Sequence, residues 1–122
     1  MFTGKSLLGM VVMMEDFKFA KIVVYVPDTH TDAVREALAE NGAGHMGNYD
    51  CCSFSVKGTG RFRPLEGADP FIGEAGKVEE VAEERIETIC EKEKLEEVLK
   101  AVKNVHPYEV PAIDIYPLLN TE

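Results

Sequence analysis

The sequence predicts an α+β domain, a ferredoxin-like βαββαβ sandwich in which a four-stranded antiparallel sheet carries two helices on one face. Two observations lead to this fold class. Segments with strand and helix patterns follow in the order strand, helix, strand, and that order then repeats. Two interleaved halves of this kind form one antiparallel sheet. The halves are joined by a long glycine-rich segment, which predicts an arm between the second and third strands.

The first strand is predicted at residues 19–26 because both sets of alternate positions are largely apolar. One face carries Ile22, Val24 and Val26, and the other carries Val23 and Tyr25. A strand that is apolar on both faces is typically buried on both faces.

The first helix is predicted at residues 29–41. Thr29 is placed to cap its N-terminus, and Asp32 follows three residues later as in a short capping box. Asn41 and Gly42 are typical of a helix end that needs a left-handed residue. Between the two ends lies an apolar stripe at helical spacing, formed by Ala33, Val34, Ala37 and Leu38.

The centre of the chain is predicted as a strand at residues 48–57, an arm at residues 58–77 and a strand at residues 81–90. Cys52, Phe54 and Val56 share one face of the first of these strands, which is expected to be the core face. Five glycines of the arm are expected to take positive φ values: Gly58, Gly60, Gly67, Gly73 and Gly76. Four large apolar side chains predict an ordered arm that packs on another surface: Phe62, Leu65, Phe71 and Ile72.

The second helix is predicted at residues 91–105, where Leu95, Val98 and Val102 lie at helical spacing. His106-Pro107 ends it, because the residue before a proline avoids the α region. A last short strand is predicted at residues 112–117.

This topology leaves the second face of the sheet uncovered. Val23 and Tyr25 are expected there, together with Arg85, Glu87 and Ile89 of the third strand. An uncovered face with apolar residues and ion pairs is typical of a subunit interface, so the sequence predicts a homo-oligomer.

Composition restricts the partners. The 122 residues carry a net charge of −9, which argues against nucleic acid, because that partner needs clustered Lys and Arg. The predicted domain spans residues 17–119, between a leader at 1–16 and a tail at 120–122. The apolar run of the leader is too short to cross a bilayer, so no membrane association is expected. Three cysteines, two of them adjacent, are consistent with reduced thiols in a cytoplasm.

Several linked motifs follow one another between residues 19 and 118, among them Val26-Pro27 with His30, Gly47-Asn48-Tyr49-Asp50, Pro70-Phe71-Ile72-Gly73, Glu84-Arg85 and His106-Pro107-Tyr108-Glu109. Together they resemble the YqfO-like family, whose PII/CutA-like domain occurs alone and also inserted in larger dinuclear-metal-binding proteins. The last motif also resembles the C-terminal motif of CutA proteins. The resemblance implies a fold of the PII/CutA type and a homotrimer. Val110 departs from the YqfO-like pattern, which usually has a second acid there.

Two groups of residues are candidates for binding a ligand. In the arm, Arg61, Phe62 and Arg63 lie among glycines whose free amides, with the guanidinium groups, suit a small anionic ligand. The alternative is that the arm reaches a neighbouring subunit and that its arginines pair with acids there. After the second helix, His106, Tyr108 and Glu109 could line a cleft between subunits. The alternative for His106 is a structural histidine bonded to carbonyls of the last helical turn.

A metal site is the second possibility that the CutA resemblance implies. It would use His106 and Glu109, with Cys51 as a further ligand, and would hold a divalent metal or copper. The sequence contains no metal-ligand spacing motif, and no cofactor is otherwise expected.

The predicted function follows from these candidates. Neither a Ser-His-Asp nor a Cys-His set has recognisable spacing, so no enzyme activity is expected. The leading hypothesis is a non-enzymatic, oligomeric regulatory module of the YqfO-like, PII/CutA-like type that binds a small ligand or a protein partner at subunit clefts. The alternative is a metal-binding, metal-tolerance protein of the CutA type.

Overall fold

Four strands and two helices follow in the predicted order in the computed structural model, which describes residues 16–119. The strands are β1 (Phe19–Pro27), β2 (Phe54–Phe62), β3 (Glu79–Glu91) and β4 (Ala112–Leu118). The helices are α1 (Thr31–Glu40) and α2 (Leu95–Val105), and a 3-10 turn precedes each of them. Nearly all of the predicted leader and the whole of the predicted tail lie outside the described residues.

The sheet has the order β2-β3-β1-β4, and every neighbouring pair of strands is antiparallel. This arrangement confirms the predicted ferredoxin-like topology. β1 lies in the interior of the sheet and pairs with both β3 and β4. Because an interior strand is covered on both edges, its apolar residues suit the most buried position of the fold.

The core lies between the sheet and the two helices. Ala20, Ile22, Val24 and Val26 of β1 are fully buried on this side. Ile22, Val24 and Val26 pack in one cluster with residues of β3 and of both helices, chiefly Ile86, Cys90, Val34, Leu38, Val98 and Val102. The helix stripes predicted from spacing therefore supply the helical half of the core.

The predicted start of the second strand is wrong. β2 begins at Phe54, and the preceding residues form a compact turn in which the Cys52 N–H donates to the Gly44 carbonyl (3.0 Å). Cys51 takes a left-handed conformation there, with φ at 56°. The expectation that Phe54 and Val56 face the core is also wrong. They lie opposite Glu87 and Arg85 on the uncovered face, and the Phe54 side chain is 65% exposed.

Both helices begin later than predicted. A 3-10 turn at Asp28–His30 precedes α1, and the Thr29 hydroxyl bonds the His30 ring nitrogen Nδ1 (2.7 Å) instead of capping the helix. A second 3-10 turn at Lys92–Lys94 precedes α2, because β3 continues its pairing with β1 as far as Glu91.

The arm is shorter than predicted and comprises residues 63–78. β2 and β3 remain paired through Gly58 and Gly60 as far as Phe62, so these two glycines lie in a strand and do not take positive φ values. Three other glycines of the arm do take positive φ values, as predicted: Gly67, Gly73 and Gly76.

The second face of the sheet is not covered by either helix, and we call it the open face. The register of β1 with β3 places Val23 and Tyr25 there beside Arg85, Glu87 and Ile89, as predicted. Glu87 contacts both Lys21 (3.5 Å) and Arg85 (3.3 Å). The open face also carries exposed apolar side chains of the outer strands, namely Phe54, Val56 and Tyr116. Within residues 16–119, neither helix is long and apolar enough to cross a membrane.

Candidate functional site

A groove of about 880 Å³ lies at one end of the open face, and we call it the arm groove. Three parts of the chain line it. The open face contributes Tyr25, Val56, Gly60, Glu83 and Arg85, the arm and the end of β2 contribute Phe62, Arg63, Leu65 and Phe71, and the segment after α2 contributes Tyr108, Glu109 and Val110. The groove is therefore built from residues that are far apart in the sequence.

The arm is held against its own chain. At its base, the Gly76 N–H donates to the carbonyl of buried Pro64 (2.8 Å). Towards its tip, the Asp69 N–H donates to Glu109 Oε1 (3.1 Å), and the Phe71 ring meets the His30 ring edge to face, with 5.5 Å between centroids. These contacts hold the arm against its own chain, but of the apolar residues of the arm, Leu65 remains 65% exposed and Phe71 50% exposed. Whether the arm also reaches a second subunit stays a prediction.

Tyr108 lies at the centre of an aromatic cluster. The centroid of its ring is 5.0 Å from that of His106, 5.8 Å from that of Phe62 and 6.4 Å from that of Phe71. Tilted pairs at these separations are favourable. The cluster joins the end of β2, the arm and the segment after α2 into one surface of the arm groove.

The hydroxyl of Tyr108 donates a hydrogen bond to Glu83 Oε2 (2.7 Å). Burial raises the pKa of Tyr108, and the hydrogen bond to Glu83 and the negative charge of Glu83 raise it further. The phenol therefore remains a protonated donor to Glu83. Glu83 itself is only 9% exposed, and within residues 16–119 it forms no ion pair with a Lys or Arg side chain.

Gly60 makes room for the Glu83 carboxylate. The two residues lie on neighbouring strands, and a Cβ atom at Gly60 would collide with the carboxylate of Glu83. A glycine within a strand commonly marks such a close approach. The absence of a side chain at this position therefore allows the buried carboxylate to lie beside β2.

His106 links the aromatic cluster to β1. Its Nε2 lies 2.7 Å from the Tyr25 carbonyl oxygen, and the Tyr108 N–H donates to its Nδ1 (3.2 Å). A ring that accepts a hydrogen bond at Nδ1 and donates one from Nε2 carries a single proton and is neutral. Burial lowers the pKa of His106, and this effect outweighs the hydrogen bond to Tyr25 and the charge of Glu83, both of which raise it. The imidazole thus bonds to β1 and not to the last carbonyls of α2.

The two arginines of the predicted site differ in their surroundings. Arg61 Nε donates to Glu80 Oε1 (3.1 Å), its cross-strand neighbour, and Arg61 projects from the face of β2 opposite to Phe62. Arg63 follows the strand, is exposed, and forms no ion pair with any residue between 16 and 119. Five of the six predicted ligand residues line the arm groove, and His106 lies behind Tyr108.

The three predicted metal ligands are not brought together. Cys51 lines a separate, smaller depression of about 210 Å³ beside Cys52 and Thr88, whereas Glu109 lines the arm groove. Both ring nitrogens of His106 already have hydrogen-bond partners. Across residues 16–119, no group of three or more His, Cys, Asp and Glu side chains is arranged to hold a metal ion.

Sequence reasoning missed Glu83 as a site residue. Its neighbours Glu80 and Glu84 are also glutamates, so nothing in the local pattern distinguishes it. One signal was present, because the paired glycines Gly58 and Gly60 within a strand indicate that another group approaches closely. Because the two glycines stand at the start of the predicted arm, the pattern predicts positive φ values for them and hides this signal.

The close approach at Gly60 can be tested by substitution. We expect Gly60→Ala to lower the free energy of unfolding by about 1–3 kcal/mol, because the new methyl group must displace the Glu83 carboxylate and break its bond to Tyr108. Gly58→Ala is the matched control, since a Cβ atom there meets no atom within 4 Å. Urea denaturation of both variants decides the question, and equal stabilities would contradict this account of Gly60.

The neutral state of His106 predicts a pH dependence. Because its pKa in the folded chain is below the ordinary value of 6.5, the unfolded chain takes up this proton first as the pH falls. Stability present above pH 6.5 is therefore lost between that pH and the lowered pKa of the folded protein. His106→Gln should show a shallower loss of stability on going from about pH 7.5 to 5.5. His45→Gln, in an exposed loop, should keep the wild-type pH dependence, and a matching change in both variants would contradict the assignment.

Comparison with known proteins adds sequence relatives. No family model matches the chain. Over 100 residues it is 56% identical to a Halalkalibacterium halodurans protein named GTP cyclohydrolase 1 type 2 homolog, and over 101 residues it is 50% identical to the Bacillus subtilis protein of that name. These matches cover 82% and 83% of this chain and 27% of each relative. The chain thus spans about a quarter of the length of the relatives it matches.

Two solved structures place the fold. A Bacillus cereus protein related to NIF3 superposes with a TM-score of 0.74 at 48% identity, over 85% of this chain and 26% of that chain. The periplasmic divalent cation tolerance protein CutA of Archaeoglobus fulgidus superposes with a TM-score of 0.62 at 22% identity, over 85% of this chain and 87% of that chain. The chain therefore has the fold of the CutA proteins and is similar in sequence to one part of larger NIF3-related proteins.

Proposed function

We propose that this chain is a non-enzymatic binding module of the YqfO-like, CutA-like type, which binds a small ligand in the arm groove and associates with itself through the open face. One observation carries the proposal. The arm groove brings predicted ligand residues from two distant segments, Phe62 and Arg63 with Tyr108 and Glu109, around one volume. About 880 Å³ lies within the usual range for small-molecule sites.

The hydrogen bonds of the site support binding in preference to catalysis. Tyr108 is committed to Glu83, His106 is committed to Tyr25 and to the Tyr108 backbone, and Glu109 accepts from Asp69. A general acid or base needs a titratable group that can reach the substrate with a pKa near the operating pH. The pKa of Tyr108 is raised and the pKa of His106 is lowered, so both values lie further from a neutral operating pH than the ordinary values of these groups.

Two further parts of the proposal concern the ligand and the location. Exposed Arg63 at the rim of the arm groove supports an anionic group on the ligand, because a free guanidinium group suits a phosphate or carboxylate. Three free cysteines, one of them exposed, support a reducing cytoplasm. Metal binding of the kind expected for a divalent cation tolerance protein is the alternative, and stoichiometric metal retained after chelator treatment would favour it.

A ligand screen tests the groove. Anions such as nucleotides are titrated while the amide signals of Phe62 and Tyr108 are followed by NMR. For an anion that shifts these signals, Arg63→Ala should weaken binding about tenfold, the effect of losing one charge-assisted hydrogen bond. Arg61→Ala should change it little, since that guanidinium group is paired with Glu80. Undiminished binding to Arg63→Ala would remove the anion-binding role.

Self-association rests on the apolar content of the open face. Phe54 is 65% exposed, Tyr116 is 51% exposed and Val56 is 39% exposed, and burying a large apolar side chain is favourable by about 1.5–3 kcal/mol. These side chains lie beside the ion pairs of Glu87, which a subunit contact would shield from water. A closed ring of subunits buries such a face without growing into a filament. The resemblance to CutA proteins implies that this ring is a homotrimer.

The association should depend on the open face. Light scattering of the wild-type protein is expected to give about three times the mass of one chain, because the resemblance to CutA proteins implies that the closed ring has three subunits. Phe54→Asp should give monomers, because it introduces a charge into the proposed contact at an exposed apolar position. Met46→Asp, at a residue 51% exposed and outside the open face, should leave the mass unchanged. A wild-type monomer, or equal masses for both variants, would contradict the proposal.

A further inference from the structure

We infer that the inner end of the arm groove binds the ammonium group of a small organic amine, with Glu83 as its counter-ion and the rings of Tyr108, Phe62 and Phe71 around it. This inference rests on the proposed binding function, because it uses the same groove. It goes further in that it assigns a cationic group to the ligand, in addition to the anionic group proposed for Arg63, and names the residue that recognises it.

The first argument is the state of Glu83. Its side chain lines the arm groove although the residue is only 9% exposed. Carboxylates buried to this extent are almost always paired with a cation. Here the carboxylate has a single hydrogen-bond donor, the Tyr108 hydroxyl at 2.7 Å, and no Lys or Arg partner between residues 16 and 119. A cationic ligand group would supply the missing charge compensation.

The second argument is the state of the neighbouring cations. Arg85 lies on the same face of β3 and pairs with Glu87 (3.3 Å), while Arg61 pairs with Glu80 (3.1 Å). Lys57 lies on the face of β2 opposite to Gly58 and Gly60. Arg63 lines the groove as well, but it is exposed and forms no ion pair with Glu83. Lys57 and the three arginines also line the groove, but none of them forms an ion pair with Glu83, so the charge of this carboxylate is left without a partner among residues 16–119.

The third argument is the aromatic cluster. The centroids of the Phe62 and Phe71 rings lie within 6.4 Å of that of the Tyr108 ring, tilted at 59° and 51° to it, and all three rings line the same groove as Glu83. An ammonium group within about 6 Å of the face of such a ring is attracted by the π electrons. The burial of Glu83, which is only 9% exposed, also strengthens an ion pair with it. Carboxylate and ring faces together favour a cation that carries an apolar body.

The volume of the arm groove indicates that its ligand is a small molecule. A groove of about 880 Å³ accommodates a ligand of drug-like size, and one aromatic ring with a short aminoalkyl chain fits easily. Tyramine has this form. The neutral alcohol of the same skeleton, with a hydroxyl in place of the amine, is the matched control ligand.

The experiment compares these two probes by NMR titration of the full chain. Tyramine is expected to bind about tenfold more tightly than the alcohol and to shift the signals of Phe62, Gly60 and Tyr108. Glu83→Gln should remove the preference for the amine and leave the weaker binding of the alcohol. Glu80→Gln, which neutralises an exposed carboxylate on the same strand, should keep the preference.

Each other outcome overturns the inference in a defined way. Equal affinity for amine and alcohol, or a preference that survives in Glu83→Gln, excludes Glu83 as the counter-ion while the groove remains a binding site. No shift with either probe overturns both this inference and the binding role of the groove for such compounds. If Glu83→Gln does not fold, the wild-type protein decides, because the preference for the amine must shrink as salt rises from about 0.01 M to about 1 M.

Discussion

The hydrogen bond from Tyr108 to the buried carboxylate of Glu83 joins the segment after α2 to the sheet. Glu83 can occupy this position because Gly60, on the neighbouring strand, has no side chain. A buried carboxylate that loses its donor is left with the full penalty of desolvation. The close approach of β2, the position of Tyr108 and the state of Glu83 therefore depend on one another.

The shape of the arm groove follows from this bond. Tyr108 carries the aromatic cluster that holds Phe62 and Phe71, and Glu109, the next residue, accepts from the Asp69 N–H of the arm. His106, two residues before Tyr108, ties the same segment to β1 through the Tyr25 carbonyl. The contacts of His106, Tyr108 and Glu109 hold both sides of the groove in place before a ligand binds. Less conformational entropy is therefore lost on binding.

The arm groove and the open face share residues. Tyr25, Val56 and Arg85 belong to the face on which we propose self-association, and they also line the groove. A neighbouring subunit on the open face would therefore border the ligand site. Ligand binding and assembly would then be linked thermodynamically, because whatever stabilises one arrangement of these shared side chains affects both equilibria.

The sequence by itself determined the order of strands and helices, because that order depends on local periodicity. The apolar positions of β1, the stripe of α2 and the helix end at His106-Pro107 are each readable within a dozen residues. Only the tertiary structure decided which groups meet. The pairing of β2 with β3 turned Phe54 to the open face, set Arg61 against Glu80 and placed Gly60 beside Glu83. A shift of one residue reverses every side chain of a strand, and this register is decided by contacts between distant parts of the chain.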